Sequence, residues 1–210
     1  MKAQTRVILV GLVLASGASQ AQNLFTNPGF EDPITFDGPP FVGFWEGFSA
    51  GGNAFAANSS MNPLSGSMHA DISILGDDNS FAGVFQDVAG LAAGQEVTFS
   101  GWHARGSQVL DVGIEFRIEW RDSINNVEIN RTPNSSTAPS STAYEMFSLT
   151  GIVPAGADTA RVVYAIQTFG GDGPTNTGTV YLDDMNFIPA PGSLGLLAGA
   201  GLVASRRRRA

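Results

Sequence analysis

The sequence predicts an all-β domain, an antiparallel jelly-roll β-sandwich, on three observations. Short apolar runs are punctuated by Gly, Ser, Thr, Asn and Asp throughout residues 22–188. Several of these runs alternate apolar and polar residues, the period-two pattern of a half-buried strand. No long stretch carries a helical period. Many short strands at fairly regular spacing favour two packed sheets. About 165 residues suffice for one domain with a good core.

The clearest strand is residues 111–121. Val112, Ile114, Phe116, Ile118 and Trp120 fall on one face, and Asp111, Glu115, Arg117, Glu119 and Arg121 on the other. One face packs on a core and the other meets water or ligand. The same reading makes strands of residues 81–88, 96–105, 146–153, 160–168 and 180–188. A turn at 91–94 joins the first two of these, and the tight turn 154–158 precedes residues 160–168. Residues 130–142, rich in Ser, Thr and Pro, and residues 169–179, rich in Gly and Asn, read as long loops. There is no internal repeat and no second domain.

Both ends read as processed segments. Lys2 and Arg6 precede an apolar run at 7–15, and Ser19-Gln20-Ala21 offers small residues where a signal peptidase reads. Residues 1–21 are therefore expected to be a signal peptide cut after Ala21, and the chain to be exported. The alternative, an uncleaved anchor, needs a longer apolar run. The chain has no cysteine, so its stability comes from a core, with or without a metal, and not from disulfides. At the other end, Pro189-Ala190-Pro191 leads into a Gly/Ala/Leu run at 194–204, closed by Arg206, Arg207, Arg208 and Arg209. The run is well short of the roughly 20 residues of a comfortable bilayer span. Its arginines would hold that end on the cytoplasmic side. The segment reads as a transient membrane stop. The alternative is an ordinary C-terminal anchor.

This tail resembles the PEP-CTERM sorting signal of Gram-negative bacteria: a Pro-x-Pro motif, a short apolar helix and a terminal arginine cluster, in that order. Ala190 stands where that motif usually has glutamate. The resemblance implies residues 189–210 as a sorting signal, an exosortase-type membrane enzyme as partner, transient inner-membrane anchoring, and delivery to the cell surface or extracellular matrix.

Without its two ends the chain changes charge. Residues 22–188 hold five arginines, no lysine and all nineteen carboxylates, a net charge near −14, against −8 for the whole chain. Such a surface repels nucleic acid and anionic lipid. It suits neutral polysaccharide or bound divalent cations, and also mere solubility.

The segment Asn23-Leu24-Phe25-Thr26-Asn27-Pro28-Gly29-Phe30-Glu31 resembles the opening strand of jelly-roll carbohydrate-binding modules of the galactose-binding-like superfamily. Trp45 follows, as a tryptophan often does there. Residues 96–102 are similar to that family's central strand, and residues 180–187 to its closing strand. The resemblance implies a structural Ca²⁺ where first and last strands meet, with Glu31 and one of Asp183 or Asp184 as ligands. Strand parity groups Tyr181, Asp183, Met185 and Phe187 on the more apolar face. A carboxylate facing inward must be paired or liganded, which favours Asp183. The alternative is a hydrogen-bonded Asp pair without metal.

A sugar-binding surface is the second candidate. If Val97 and Phe99 face the core, Trp102 faces outward beside small polar residues, and an exposed Trp on a sheet is a candidate stacking platform. Glu115, Arg117 and Glu119 also lie on an outer sheet face and could bond hydroxyls. The alternatives are packing of Trp102 under a loop and an ionic ladder among the charges. Trp45 and Trp120 read as core. Catalysis finds little support. The only histidines, His69 and His103, sit in no catalytic motif, and Glu115 and Glu119 lie roughly 13 Å apart by strand rise, beyond glycosidase spacings.

The chain is therefore expected to be a non-enzymatic, exported surface protein that binds or organises extracellular polysaccharide. The alternatives are a purely structural matrix or adhesion protein, and a polysaccharide-active enzyme.

Overall fold

A computed structural model describes residues 22–169 and 174–190 of the chain. The expected signal peptide, which the sequence reads as an N-terminal signal helix, the expected short C-terminal hydrophobic helix and the tail from Pro191 onward lie outside the described residues.

Ten strands form: β1 (Glu46–Ala50), β2 (Ala54–Ser59), β3 (His69–Leu75), β4 (Phe81–Ala89), β5 (Glu96–Arg105), β6 (Gly113–Asp122), β7 (Val127–Arg131), β8 (Glu145–Ile152), β9 (Thr159–Gln167) and β10 (Thr177–Pro189). They pair into two five-stranded sheets. The front sheet runs β1-β4-β9-β6-β7 and the back sheet β2-β3-β10-β5-β8, with every strand pair antiparallel. No helix occurs among the described residues.

Alternation explains the layers. Ile114, Phe116, Ile118 and Trp120 of β6 meet Val162, Tyr164 and Ile166 of β9 from the front. Val97 and Phe99 of β5, with Val180, Leu182, Met185 and Phe187 of β10, close the core from the back. Aromatic rings knit the sheets together, with Phe147 of β8 4.7 Å from Phe116 and 5.3 Å from Phe99. Trp45 and Trp120 are buried, as the sequence suggested.

Two expectations are corrected. Residues 23–31 are not a strand but a looped segment, because Asn27 and Phe30 take positive φ, 52° and 55°. The segment is pinned by its ends: Asn23 brackets the last strand, donating to the Met185 carbonyl and accepting from the Phe187 N–H at 2.9 Å each. Second, β10 does not keep one parity. A register shift lies between Asp183 and Asn186, and Asp184 has φ 46°. Leu182, Met185 and Phe187 therefore face the core, whereas Tyr181 points out of the back sheet. A bulge adds one residue to one strand and flips everything after it to the other face.

Candidate functional site

The outer face of the front sheet reads as rows across β1, β4, β9 and β6. One row is Phe48, Gly83, Ala165, Glu115. The next is Glu46, Phe85, Val163, Arg117. In the first row Gly83 and Ala165 leave a small-residue floor between the Phe48 ring and Glu115, and in the second Phe85 and Val163 stand between Glu46 and Arg117. The result is an open groove of about 240 Å³, lined by Phe48, Phe81, Glu115, Arg117, Gln167 and Phe169 among others.

The charged wall is an ionic ladder along β6. Arg117 contacts Glu115 and donates to Glu119 Oε1 at 2.6–2.8 Å. Arg121 and Arg131 approach Glu119 at 3.5 and 3.9 Å, and Arg131 pairs with Glu128 at 2.6 Å. Four of the five arginines of residues 22–188 thus lie on this face once Arg161 is counted, which pairs with Asp87 at 2.7 Å. The ladder runs along one strand and was legible as charge alternation. A planar guanidinium held by two carboxylates keeps its remaining N–H groups aimed in fixed directions.

The aromatic wall was not anticipated. Phe41, Phe85, Phe48, Phe81 and Phe169 form a chain of neighbours with centroids 4.9 to 6.0 Å apart. Arg161 lies 4.3 Å over the Phe85 ring and 4.8 Å over Phe41, joining this wall to the charged system. Phe36, Val42 and Phe44, in the loop before β1, are each about half exposed. The residues of β4 had been read as a strand, but which of its faces is partnered depends on long-range register.

Trp102 lies elsewhere. It is half-buried on the outer face of the back sheet, between Asp183 of β10 and Met146 of β8. The four predicted ligand-binding residues therefore do not form one site: Glu115, Arg117 and Glu119 are in front and Trp102 is behind. Around Trp102 stand Tyr181, which pairs across with Asp71 and Ala104, and His69 two residues before Asp71. His69 is fully buried with its ring 4.8 Å from Tyr181. Burial pushes its pKa down, opposed by the nearby Asp71.

Glu31, Asp183 and Asp184 all face the segment 64–68. Asp183 accepts the N–H groups of Leu64 (2.8 Å), Ser65 (3.1 Å) and Asp184 (2.8 Å). Glu31 Oε1 accepts those of Ser67 (2.9 Å) and Met68 (3.2 Å), and Asp184 accepts the Ser65 hydroxyl at 2.7 Å. Asp183 is fully buried, and desolvation holds its carboxyl above the usual range against the amides that favour its charge. Among the described residues, no three His, Asp or Glu side chains converge to hold a metal. Glu31 and Asp183 thus accept amides of one loop, but Asp183 pairs with Trp102 on the outer face of the back sheet, not on the inward face that strand parity had given it.

No protein-family model matches the sequence, and no curated protein matches it. Solved structures do resemble the fold. The xylan-binding CBM22-1 domain of Paenibacillus barcinonensis Xyn10C aligns with 84% of this chain and 100% of its own, at 13% identity and TM-score 0.56. The CBM22-1–GH10 modules of Clostridium thermocellum xylanase 10B, complexed with xylohexaose, align with 81% of this chain at 15% identity and TM-score 0.51. The enzymatically active domain of bacteriophage CBA120 tailspike protein 4 aligns with 80% at 14% identity and TM-score 0.58. This chain spans only 21% of that tailspike chain and 29% of the xylanase chain. The fold is thus the β-sandwich of carbohydrate-binding modules, a fold that also occurs in chains with catalytic domains.

Proposed function

We propose that the front groove binds an extended stretch of neutral polysaccharide, and that the chain is a non-catalytic, exported surface protein. The juxtaposition of the phenylalanine wall with the Arg117 ladder, over a floor of Gly83 and Ala165, carries this reading. Sugar C–H faces stack on flat apolar rings, and sugar hydroxyls both donate and accept, which suits guanidinium and carboxylate together. The ladder's carboxylates are committed to arginines, which suits binding better than acid–base chemistry. The acidic surface would repel an anionic polymer and tolerate a neutral one. Native-gel affinity electrophoresis against neutral polysaccharides tests the reading. Retardation lost in Arg117→Ala supports it, and unretarded wild-type protein leaves a structural or adhesive role instead.

The sorting route belongs to the same proposal. Pro189 is still paired with Val97 in β10, and Ala190 donates to the Glu96 carbonyl at 2.9 Å. An exosortase-type enzyme would therefore act directly beside the folded domain, on a tail with no intervening linker. Delivery to the cell surface or matrix would follow. Mass spectrometry of secreted protein should find termini near Gln22 and at 189–191. An intact arginine tail on secreted protein would contradict the route.

Calcium is also proposed, at Glu31 and Asp183. The donor chemistry fits a hard cation, because two carboxylates meet at one loop and Asp183 is desolvated. When bound, the ion would supply charge compensation between the opening segment and β10. A melting temperature raised by CaCl₂ and lowered by EDTA, with the response lost in Asp183→Asn, is the expected result. An identical melt in both would remove the ion.

A further inference from the structure

We infer that β8 is a docking edge for β8 of a second copy of this chain, the two strands pairing antiparallel about a two-fold axis at Leu149 and joining two back sheets into one. The four edge strands of the sandwich are not alike. Beside β1, Thr35 accepts the Gly47 N–H at 2.8 Å and donates its own N–H to the Trp45 carbonyl at 2.9 Å, so the segment before β1 occupies that edge. On β2, six residues long, Asn58 is tied to Phe30 and Ile34. The five residues of β7 include Glu128 and Arg131. β8 is the longest of the four, with eight residues, and beyond Glu145 it carries neither a charge nor a proline. Charges, prolines and cover are what ordinarily keep an edge from pairing.

The register shows which backbone groups face outward. Val153, just past β8, donates to the Gln95 carbonyl at 2.9 Å and accepts the Gly94 N–H at 2.8 Å, so its backbone faces the β5 side. Alternation turns the backbone of Gly151, Leu149 and Phe147 toward β5 as well. The N–H and C=O groups of Met146, Ser148, Thr150 and Ile152 therefore point away from β5, and they have no backbone partner among the described residues. All four side chains are exposed, Met146 at 66% and Ile152 at 60%.

A second β8 fits this rim. Residues directly opposite must share a face, so the two-fold falls on a residue and not between two. Centred on Leu149, it sets Met146 against Ile152 of the second copy and Ser148 against Thr150, each pair occurring twice. About eight backbone hydrogen bonds close the rim, and the strand's two most exposed apolar side chains cover each other. Centred on Ser148, it would set Met146 against Thr150 and leave Ile152 beyond the end of the second strand. Charge selects the same contact. Residues 22–188 hold five arginines against nineteen carboxylates, so two copies repel over most of their surface, and this rim is uncharged. A strip about 27 Å long and about 10 Å deep on each copy totals roughly 500–600 Å², below the roughly 1,200 Å² of stable complexes. The pair therefore forms where copies are concentrated and separates on dilution. An axis normal to the back sheet leaves both front sheets on one side, so the pair presents two front grooves in one direction. The inference stands apart from what those grooves bind.

The chain has no cysteine, so an introduced thiol reports its own position. In the full chain, Leu149→Cys sits on the axis with its Cα about 4.5 Å from its mate, within disulfide range. Mild oxidation should give a disulfide-linked dimer on a non-reducing gel, in a yield that rises with protein concentration. Val127→Cys, half exposed on β7, should stay monomeric. Adding Thr150→Pro to Leu149→Cys removes an outward N–H and leaves the pairing with β5 intact. Dimer yield should then fall about tenfold, because two hydrogen bonds across the axis are lost. Leu149 packs against the core, so Ser148→Cys with Thr150→Cys, on the exposed face, replaces it if circular dichroism shows Leu149→Cys unfolded. No dimer from a folded cysteine variant, an equal dimer from Val127→Cys, or a Leu149→Cys yield unmoved by Thr150→Pro would overturn the inference.

Discussion

Phe48 lies across Gly83: a Cβ built on Gly83 would stand 2.5 Å from the tip of the Phe48 ring and 2.5 Å from the Tyr164 carbonyl. The ring can turn away, but the strand carbonyl cannot. Glycine is thus what lets β1 lay an aromatic plane over β4 at the middle of the groove. Gly83→Ala should cost about 1–3 kcal/mol of stability through overpacking and should dislodge Phe48 from the wall. A urea melt and a polysaccharide titration on the same variant check both effects.

Arg117 bridges Glu115 and Glu119, and all three side chains are at most 17% exposed. Removing the guanidinium leaves two part-buried carboxylates facing each other, a larger loss than a surface pair would show. Arg117→Ala is expected to destabilise by about 1–3 kcal/mol, and added salt should narrow the difference by screening the freed carboxylates. Arg117→Lys should recover part of the stability and little binding, because a point charge cannot hold both carboxylates and a hydroxyl in one plane. Urea melts at two salt concentrations test the first statement.

His103 is buried in the core with Nδ1 2.9 Å from the Tyr164 hydroxyl. Desolvation lowers its pKa from 6.5 to about 4, with Glu145 opposing the shift. The unfolded chain therefore takes up a proton near pH 6.5 that the folded chain refuses until about pH 4. Stability is complete above pH 6.5 and falls as pH drops through that window, by about 3 kcal/mol in total. Melts from pH 7.5 to 4 should show this slope, and His103→Phe should flatten it. An unchanged slope in the variant would assign it to other groups.

Asp183 closes the segment 64–65 onto β10 through two amide N–H groups. Asp183→Ala orphans those donors and should cost about 2–4 kcal/mol. The same change should make residues 60–68 the first site of proteolytic nicking. Limited proteolysis with mass mapping reads that site.

Where long alternating runs met a large core, the sequence was a sufficient guide. Residues 96–105 are β5 to the residue, and the alternation of Ile114, Phe116 and Ile118 placed the core face of β6 correctly. Four strands were not anticipated, because β1, β2, β3 and β7 are short and rich in Ala, Ser, Asn or charged residues. The parity of β10 failed at a bulge that no local pattern announces. The charged wall was legible because it lies on one strand. The phenylalanine wall was not, because it joins a loop, two strands and the segment after β9 through register alone. Trp102 lies half-buried on an outer face, where it had to lie once Val97 and Phe99 faced the core, but its sheet could not be known without the strand order.

The front groove is the proposed polysaccharide site. The direct measurement is native-gel affinity electrophoresis of wild type, Phe48→Ala with Phe81→Ala, and Trp102→Ala against xylan, mixed-linkage β-glucan and galactan. Wild type and Trp102→Ala should be retarded comparably by at least one polymer, while the double phenylalanine variant, folded by circular dichroism, should run free. Undiminished retardation of that variant would contradict polysaccharide binding in the front groove.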